Sequence, residues 1–281
     1  MTLRFAYNTN GTASHRLDDA LVLMAEAGYD GVALTLDHQH FDPFRPDWEA
    51  RAEALRRRLD ELKFGSVIET GARFLLDSRA KHEPTLVTRD PEGRAKRVAF
   101  LNQAIDVAAI LGSEAVSFWA GVPKLGVTRP EADAWLREGL EQVCAYAERR
   151  GVVAALEPEP GMHVETVDDY ARLATELPSL KLALDVGHCV VTGERDPAAA
   201  VREFAGTIGT VSIEDMKRGE HVHLAFGEGD MDIPAILDVL EDVAFPGLVC
   251  VELSRESHRA DTMIPQALAY LRTCRDRRRA A

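Results

Sequence analysis

A single (β/α)8 TIM barrel is the fold that the 281-residue sequence predicts. Three observations carry that expectation. Eight short apolar stretches alternate with helical patterns, as in α/β folds with a parallel sheet. No shift in composition divides the chain, so one domain over residues 1–281 is expected. The length also suits a closed barrel, which takes ~250 residues. A doubly wound open sheet is the competing arrangement, but no Gly-x-Gly-x-x-Gly follows the first apolar stretch.

The strands are expected at residues 5–8, 31–37, 65–70, 115–121, 152–158, 180–186, 210–215 and 248–254. Each is short and apolar, the pattern of a strand buried on both faces. Between them, Trp48, Ala52, Leu55, Leu59 and Leu62 recur at helical spacing, as do Val98, Leu101, Ile105 and Ala108. Leu136, Leu140, Val143 and Ala147 continue the scheme, followed by Tyr170, Leu173 and Leu177. Gly28, Gly112 and Gly151 stand where helices end just before strands, and glycine takes the left-handed cap there without strain. Residues 71–92 interrupt the rhythm with Arg73, Lys81, His82, Pro84 and Arg89. So long a connection is either a binding loop or a variable surface insertion. Residues 275–281 form a short basic tail, expected as solvent-facing helix.

Composition narrows the partners. A formal charge of −13 repels polyanions and counts against nucleic acid. No apolar run is long enough to span a membrane, and the N-terminus enters a strand-like segment with no signal-peptide pattern. Cys144, Cys189, Cys250 and Cys274 lack Cys-x-x-Cys spacing, which suits free thiols in a reducing cytoplasm. The expected partner is a small molecule. The exposed ends of such barrels often pair, which leaves a homo-oligomer open.

The chemistry is expected at the carboxyl ends of the strands, where barrels of this type place their sites. Those ends carry Asn8, Asp37 with His38, Glu69, Trp119, Glu157, Asp185 with His188, Glu214, and Glu252 with Arg255. Side chains alternate along a strand. Ala155 with Glu157, Ala183 with Asp185, and Cys250 with Glu252 therefore share the inward face, while Leu156, Leu184 and Val251 face the helices. Three ionised carboxylates at one mouth repel each other. Either a divalent cation offsets them or one of them is protonated. Oxygen and imidazole donors suit Mn²⁺, Mg²⁺, Co²⁺ or Zn²⁺. Further on, His221 and His223 form a His-x-His pair in a polar loop that runs into Gly227-Glu228-Gly229, a tight turn without phosphate-loop spacing.

Leu-Glu157-Pro, Asp185-Val-Gly-His188, His223 with the following Gly-Glu-Gly-Asp, and Val-Glu252-Leu resemble the xylose-isomerase-like barrel superfamily over nearly the whole chain. That superfamily includes sugar and sugar-phosphate isomerases and epimerases, hydroxypyruvate isomerase, inosose dehydratase and endonuclease IV-type repair enzymes. In its epimerase-like members, the positions of Glu157, Asp185 and Glu252 bind a catalytic metal with a seventh-strand histidine, and the two glutamates move the proton. In its endonuclease-like members, the positions of His188, His221 and His223 hold a further metal, with an acid in place of His221. Here the seventh-strand position is Ser212. Glu214, two residues on, or the set of His188, His221 and His223 is expected to make up the shell, with His223 the preferred ligand.

The resemblance implies a metal-dependent isomerase or epimerase of a polyhydroxylated carbonyl compound, acting through an enediolate. Glu157 and Glu252 are the expected catalytic pair. His188, Arg255, His221 and Glu214 are expected to meet substrate, with Trp119 offering an apolar face to sugar C–H groups. The same carbanion would serve a dehydratase or lyase. A metal-free binder follows if Ser212 marks a lost site. An endonuclease-like phosphodiesterase would need a basic groove that the charge argues against.

Overall fold

The computed structural model describes residues 2–280, with the side chains of 277–280 left aside. Met1, Ala281 and the distal side chains of the basic tail lie outside the described residues. Eight parallel strands close a barrel in the order β1 (Arg4–Asn8), β2 (Gly31–Thr35), β3 (Gly65–Glu69), β4 (Val116–Trp119), β5 (Ala154–Glu157), β6 (Lys181–Asp185), β7 (Ile208–Ile213) and β10 (Leu248–Val251), which returns to β1. Helices α1 (Leu17–Ala27), α2 (Trp48–Leu62), α3 (Pro91–Leu111), α4 (Arg129–Arg150), α5 (Val167–Glu176), α6 (Val186–Thr192), α7 (Pro197–Phe204), α8 (Ile233–Asp242) and α9 (Ala260–Ala280) alternate with them. Gly28 and Gly112 end α1 and α3 with φ of 91° and 66°.

The interior follows the strand alternation. Ala6, Ala33, Val67, Ala115, Ala155, Ala183, Leu248 and Cys250 form one buried cluster inside the barrel. Leu156, Leu184 and Val251 belong to the larger core beneath the helices. One pleat above the inner cluster, side chains on the same face become polar. Register sets Asp185 beside Ser212, Trp119 beside Glu157, and Thr35 beside Glu69. The small lower layer is what leaves room for a cavity at the mouth.

Three features differ from the sequence reading. The segment carrying His221 and His223 is a strand, β9 (Glu220–Leu224), paired antiparallel with β8 (Asp215–Lys217), rather than an irregular loop. Its Val222 and Leu224 alternate with the histidines, but so short a strand leaves little periodic signal. Helix α6 is seven residues long, too short for helical periodicity to register. The start of the basic tail does not simply face solvent: Arg275 is half-buried, donates to Glu241 at 3.0 Å and lies 5.8 Å from the Phe5 ring. The four cysteines are free and buried. Among the described residues, no helix is long and apolar enough to cross a membrane.

Gly31 faces the Gly65 carbonyl so closely that a Cβ would sit 2.5 Å from that oxygen. Gly31→Ala should therefore cost about 1–3 kcal/mol, the range for overpacking a filled interior. Urea denaturation should show a lower midpoint with an unchanged slope.

Candidate active site

A cavity of about 210 Å³ opens at the carboxyl end of the barrel. Glu69, Glu157, Glu159 and Glu252 line it, with Trp119, His188 and His223. A larger cavity, about 610 Å³, lies between α1 and α2 and shares none of this lining.

Asp185 organises the centre. Its Oδ1 caps α6, accepting from the backbone N–H groups of Gly187 at 2.8 Å and His188 at 3.2 Å. Its Oδ2 is buried without a hydrogen-bond partner, 3.4 Å from His188 Nε2. The residue is thus both a helix cap and a site group. His188 Nδ1 donates to the Pro158 carbonyl at 2.9 Å, since a carbonyl only accepts. Its Nε2 lies 3.4 Å from Asp185 Oδ2 and 3.1 Å from His221 Nε2. His221 in turn stands 3.8 Å from Glu159.

The two glutamates are held from either side. Glu252 Oε1 accepts from Asn10 Nδ2 at 2.8 Å, and Glu157 Oε2 accepts from Ser117 Oγ at 3.3 Å. Trp119 is buried, with His82 edge-on at 5.3 Å and the Arg97 guanidinium 4.3 Å from its ring centre.

His223 reaches the site from outside the barrel. Where β7 leaves the barrel, Asp215 Oδ2 accepts from Gly227 N–H at 2.8 Å and its Oδ1 from Met231 N–H at 3.1 Å. The Gly-Glu-Gly turn is therefore stapled to the start of β8. Among the described residues, ligand atoms of Asp185, His223 and Glu252 lie within 4.8 Å of one another. The same holds for Glu157, Asp185 and His188, and for Glu159, His188 and His221. The unpartnered Asp185 oxygen fits a site that receives a cation. Carboxylate and imidazole donors together suit Mg²⁺, Mn²⁺, Co²⁺ or Zn²⁺.

Glu214 occupies a different place from that expected. It is fully buried and does not line the cavity. Both its oxygens lack hydrogen-bond partners, and one is 3.7 Å from His223 Nδ1. A Cβ on Gly187 would run into this carboxyl, which gives the glycine of Asp185-Val-Gly-His188 its physical reason. Ser212 is half-buried on the inward face beside Asp185. Arg255 is exposed and outside the cavity lining, although Ser254 before it lines the cavity. Asp37 accepts from the backbone of Gln39 and His40, and His38 is exposed.

Sequence reading passed over Asn10, Ser117, Glu159 and Ser254. Parity along β4 could have found Ser117. Asn10 sits on a 3-10 turn (Thr9–Thr12) and Glu159 beyond the end of β5, where alternation no longer says which way a side chain points.

Electrostatics match the crowding. Burial pushes Glu157 well above the usual carboxylate range, and the charges of Glu159, Glu252 and Asp185 push the same way. Glu214 is raised by burial and then by Asp185. Glu69 rises to about 7, through burial and the Glu252 charge. Burial also works upward on Asp185, but His188 and His223, with the adjoining Glu214 carboxyl and His221, outweigh it and hold its carboxyl low. His221 falls to about 4 through burial and the neighbouring His188 and His223.

A family model described as Xylose isomerase-like TIM barrel matches residues 21–274. An L-ribulose-5-phosphate 3-epimerase of Shigella flexneri serotype 5b is 24% identical over 244 residues, covering 85% of this chain and 82% of its own. An L-ribulose 3-epimerase of Mesorhizobium japonicum is 27% identical over 245 residues, with 83% and 74% covered. In fold, the chain is similar to the D-allulose 3-epimerase of Methylomonas sp. solved with D-allulose, with a TM-score of 0.75, 19% identity and 96% of each chain covered.

Raised acids set a pH dependence. A carboxyl whose folded pKa exceeds its unfolded value stabilises the fold below the unfolded pKa, and that stability is lost as pH rises through the folded value. For Glu69 this window runs from 4.5 to about 7. With chelator present, the wild-type melting temperature should fall relative to that of Glu69→Gln between about pH 4.5 and pH 7, and added Mn²⁺ should recover more at the upper end. Parallel melting curves for the two proteins, with no response to Mn²⁺, would contradict the crowded-acid account.

Proposed function

The chain belongs to the xylose isomerase-like TIM barrel family, and we propose that it is a metal-dependent epimerase of a sugar or related polyhydroxylated carbonyl compound. The observation that carries this reading is the placement of Glu157 and Glu252. Glu157 ends β5 and Glu252 follows β10 directly, three strands apart on the eight-strand ring; both line the cavity, and Asp185 on β6 lies near each of them. The names of the relatives support the reaction class.

Two carboxylates on opposite sides of a bound sugar suit inversion at a carbon beside a carbonyl. One removes the proton from one face, the substrate passes through an enediolate, and the other returns a proton to the opposite face. Asn10 and Ser117 fix the two carboxylates, so each meets the substrate carbon from a set direction. Glu157, Asp185, Glu252 and His223 would hold a divalent cation, which supplies Lewis-acid polarisation of the carbonyl when bound. His223 takes the place that Ser212 leaves open, and Glu214 behind it orients the ring. His188, with its proton held at Nδ1, offers Nε2 to a substrate hydroxyl. Trp119 gives the apolar wall of the cavity.

The direct test is exchange of substrate C–H in deuterated water, followed by mass across a panel of ketoses. Glu157→Gln and Glu252→Gln should each lose at least ~10²-fold, the usual contribution of a general base. His223→Ala should lower cation stoichiometry in titration calorimetry. Undiminished exchange in both glutamine variants would move the proton transfer to other groups.

A further inference from the structure

The mouth is crowded with carboxylates, yet two cations line the same cavity. Arg73 and Lys81 both come from the long connection after β3, together with His82. Among the described residues, neither side chain makes a hydrogen bond or ion pair. Nearby cations are occupied: Arg94 donates to the carbonyls of Thr88 and Arg89 at 2.8 Å, Lys96 donates to the Leu76 carbonyl, and Lys124 pairs with Glu83 at 2.7 Å. Arg73 and Lys81 are instead left facing the cavity.

The backbone holds them there under strain. Ala72, Arg73 and His82 have φ of 58°, 32° and 67°, left-handed values that residues with a Cβ adopt only when their surroundings impose them. Those surroundings are on hand. The His82 N–H donates to the Arg73 carbonyl at 2.6 Å, and His82 Nδ1 donates to the Gly71 carbonyl at 2.7 Å. These bonds close the connection into a loop whose two ends touch. They bring the Arg73 backbone beside that of His82, next to Lys81 in sequence, although seven residues lie between the two cations. His82 is also packed against Trp119, so the clamp rests on the wall of the cavity.

We propose that Arg73 and Lys81 bind an anionic substituent of the substrate, a phosphate ester or a carboxylate, at the end remote from the reacting carbon. The proposal rests on the reading of this cavity as the sugar site. A guanidinium fork and an ammonium lining one cavity suit either group, since arginine meets both in a bidentate manner and lysine adds a point charge. A chain with a formal charge of −13, and with Glu69, Glu157, Glu159 and Glu252 in one cavity, repels an anionic sugar unless a local cation receives it. The simpler role for the two cations is to offset the glutamates. That role would affect neutral and anionic substrates alike, so substrate preference separates the two.

The test compares a neutral ketopentose, its terminal phosphate ester and a ketose oxidised to a carboxylate at the terminal carbon, using the Mn²⁺-loaded full chain. One anionic form should show the highest kcat/KM, and which one does distinguishes phosphate from carboxylate. In Arg73→Gln and in Lys81→Gln, the ratio of anionic to neutral kcat/KM should fall by about tenfold or more, as expected for a lost charge-assisted hydrogen bond. Arg73→Lys should recover part of the ratio, and Lys81 is exposed, so its replacement leaves the fold intact. Titration calorimetry with inorganic phosphate and with acetate gives a readout that needs no turnover. Binding of either ion that both glutamine variants weaken would support the anion site even if no sugar reacts, in which case only the epimerase reading fails. A ratio unchanged in both variants would overturn the proposal. With no sugar turned over, the absence of phosphate and acetate binding would do the same.

Discussion

The mutual repulsion of buried carboxylates is the constraint on which the rest of this structure depends. A parallel barrel filled below by alanines and a few larger side chains places its next inward layer at the mouth, and here that layer is acidic. Such charges cannot be left unpaired in a low-dielectric interior. Each therefore has an assigned restraint. Asn10 holds Glu252, Ser117 holds Glu157, and the backbone of Gly71 donates to Glu69. Asp185 gives one oxygen to the start of α6 and keeps the other free.

The surrounding connections serve that layer. Strand β7 ends without a histidine at its inward position, and the β8–β9 ribbon returns one from outside as His223. Asp215, paired with Leu224 in the ribbon, ties the following turn to its carboxylate through Gly227 and Met231. Glu214, adjacent in sequence, points the other way and lies behind His223. Gly187 leaves room for it. On the opposite side of the mouth, the residue 71–90 connection adds positive charge through Arg73 and Lys81.

The sequence by itself determined the barrel and the acid layer. Eight apolar stretches fix the strand count, and a period of two puts Glu157, Asp185 and Glu252 on the inward face once the strands are placed. It also marked Trp119, His188 and His223 as residues of the mouth. Where alternation stops, so did the inference. Arg255 lies past the end of β10 and turns outward, while Asn10 and Glu159 lie past their own strands and turn in. Glu214 shares the parity of Ser212 along the chain, but β7 ends at Ile213, and the turn into β8 buries its carboxyl behind the site. Only tertiary structure decides such cases. A side chain beyond the last ladder hydrogen bond takes its direction from packing and backbone bonds to distant residues, and no local pattern in the sequence encodes those.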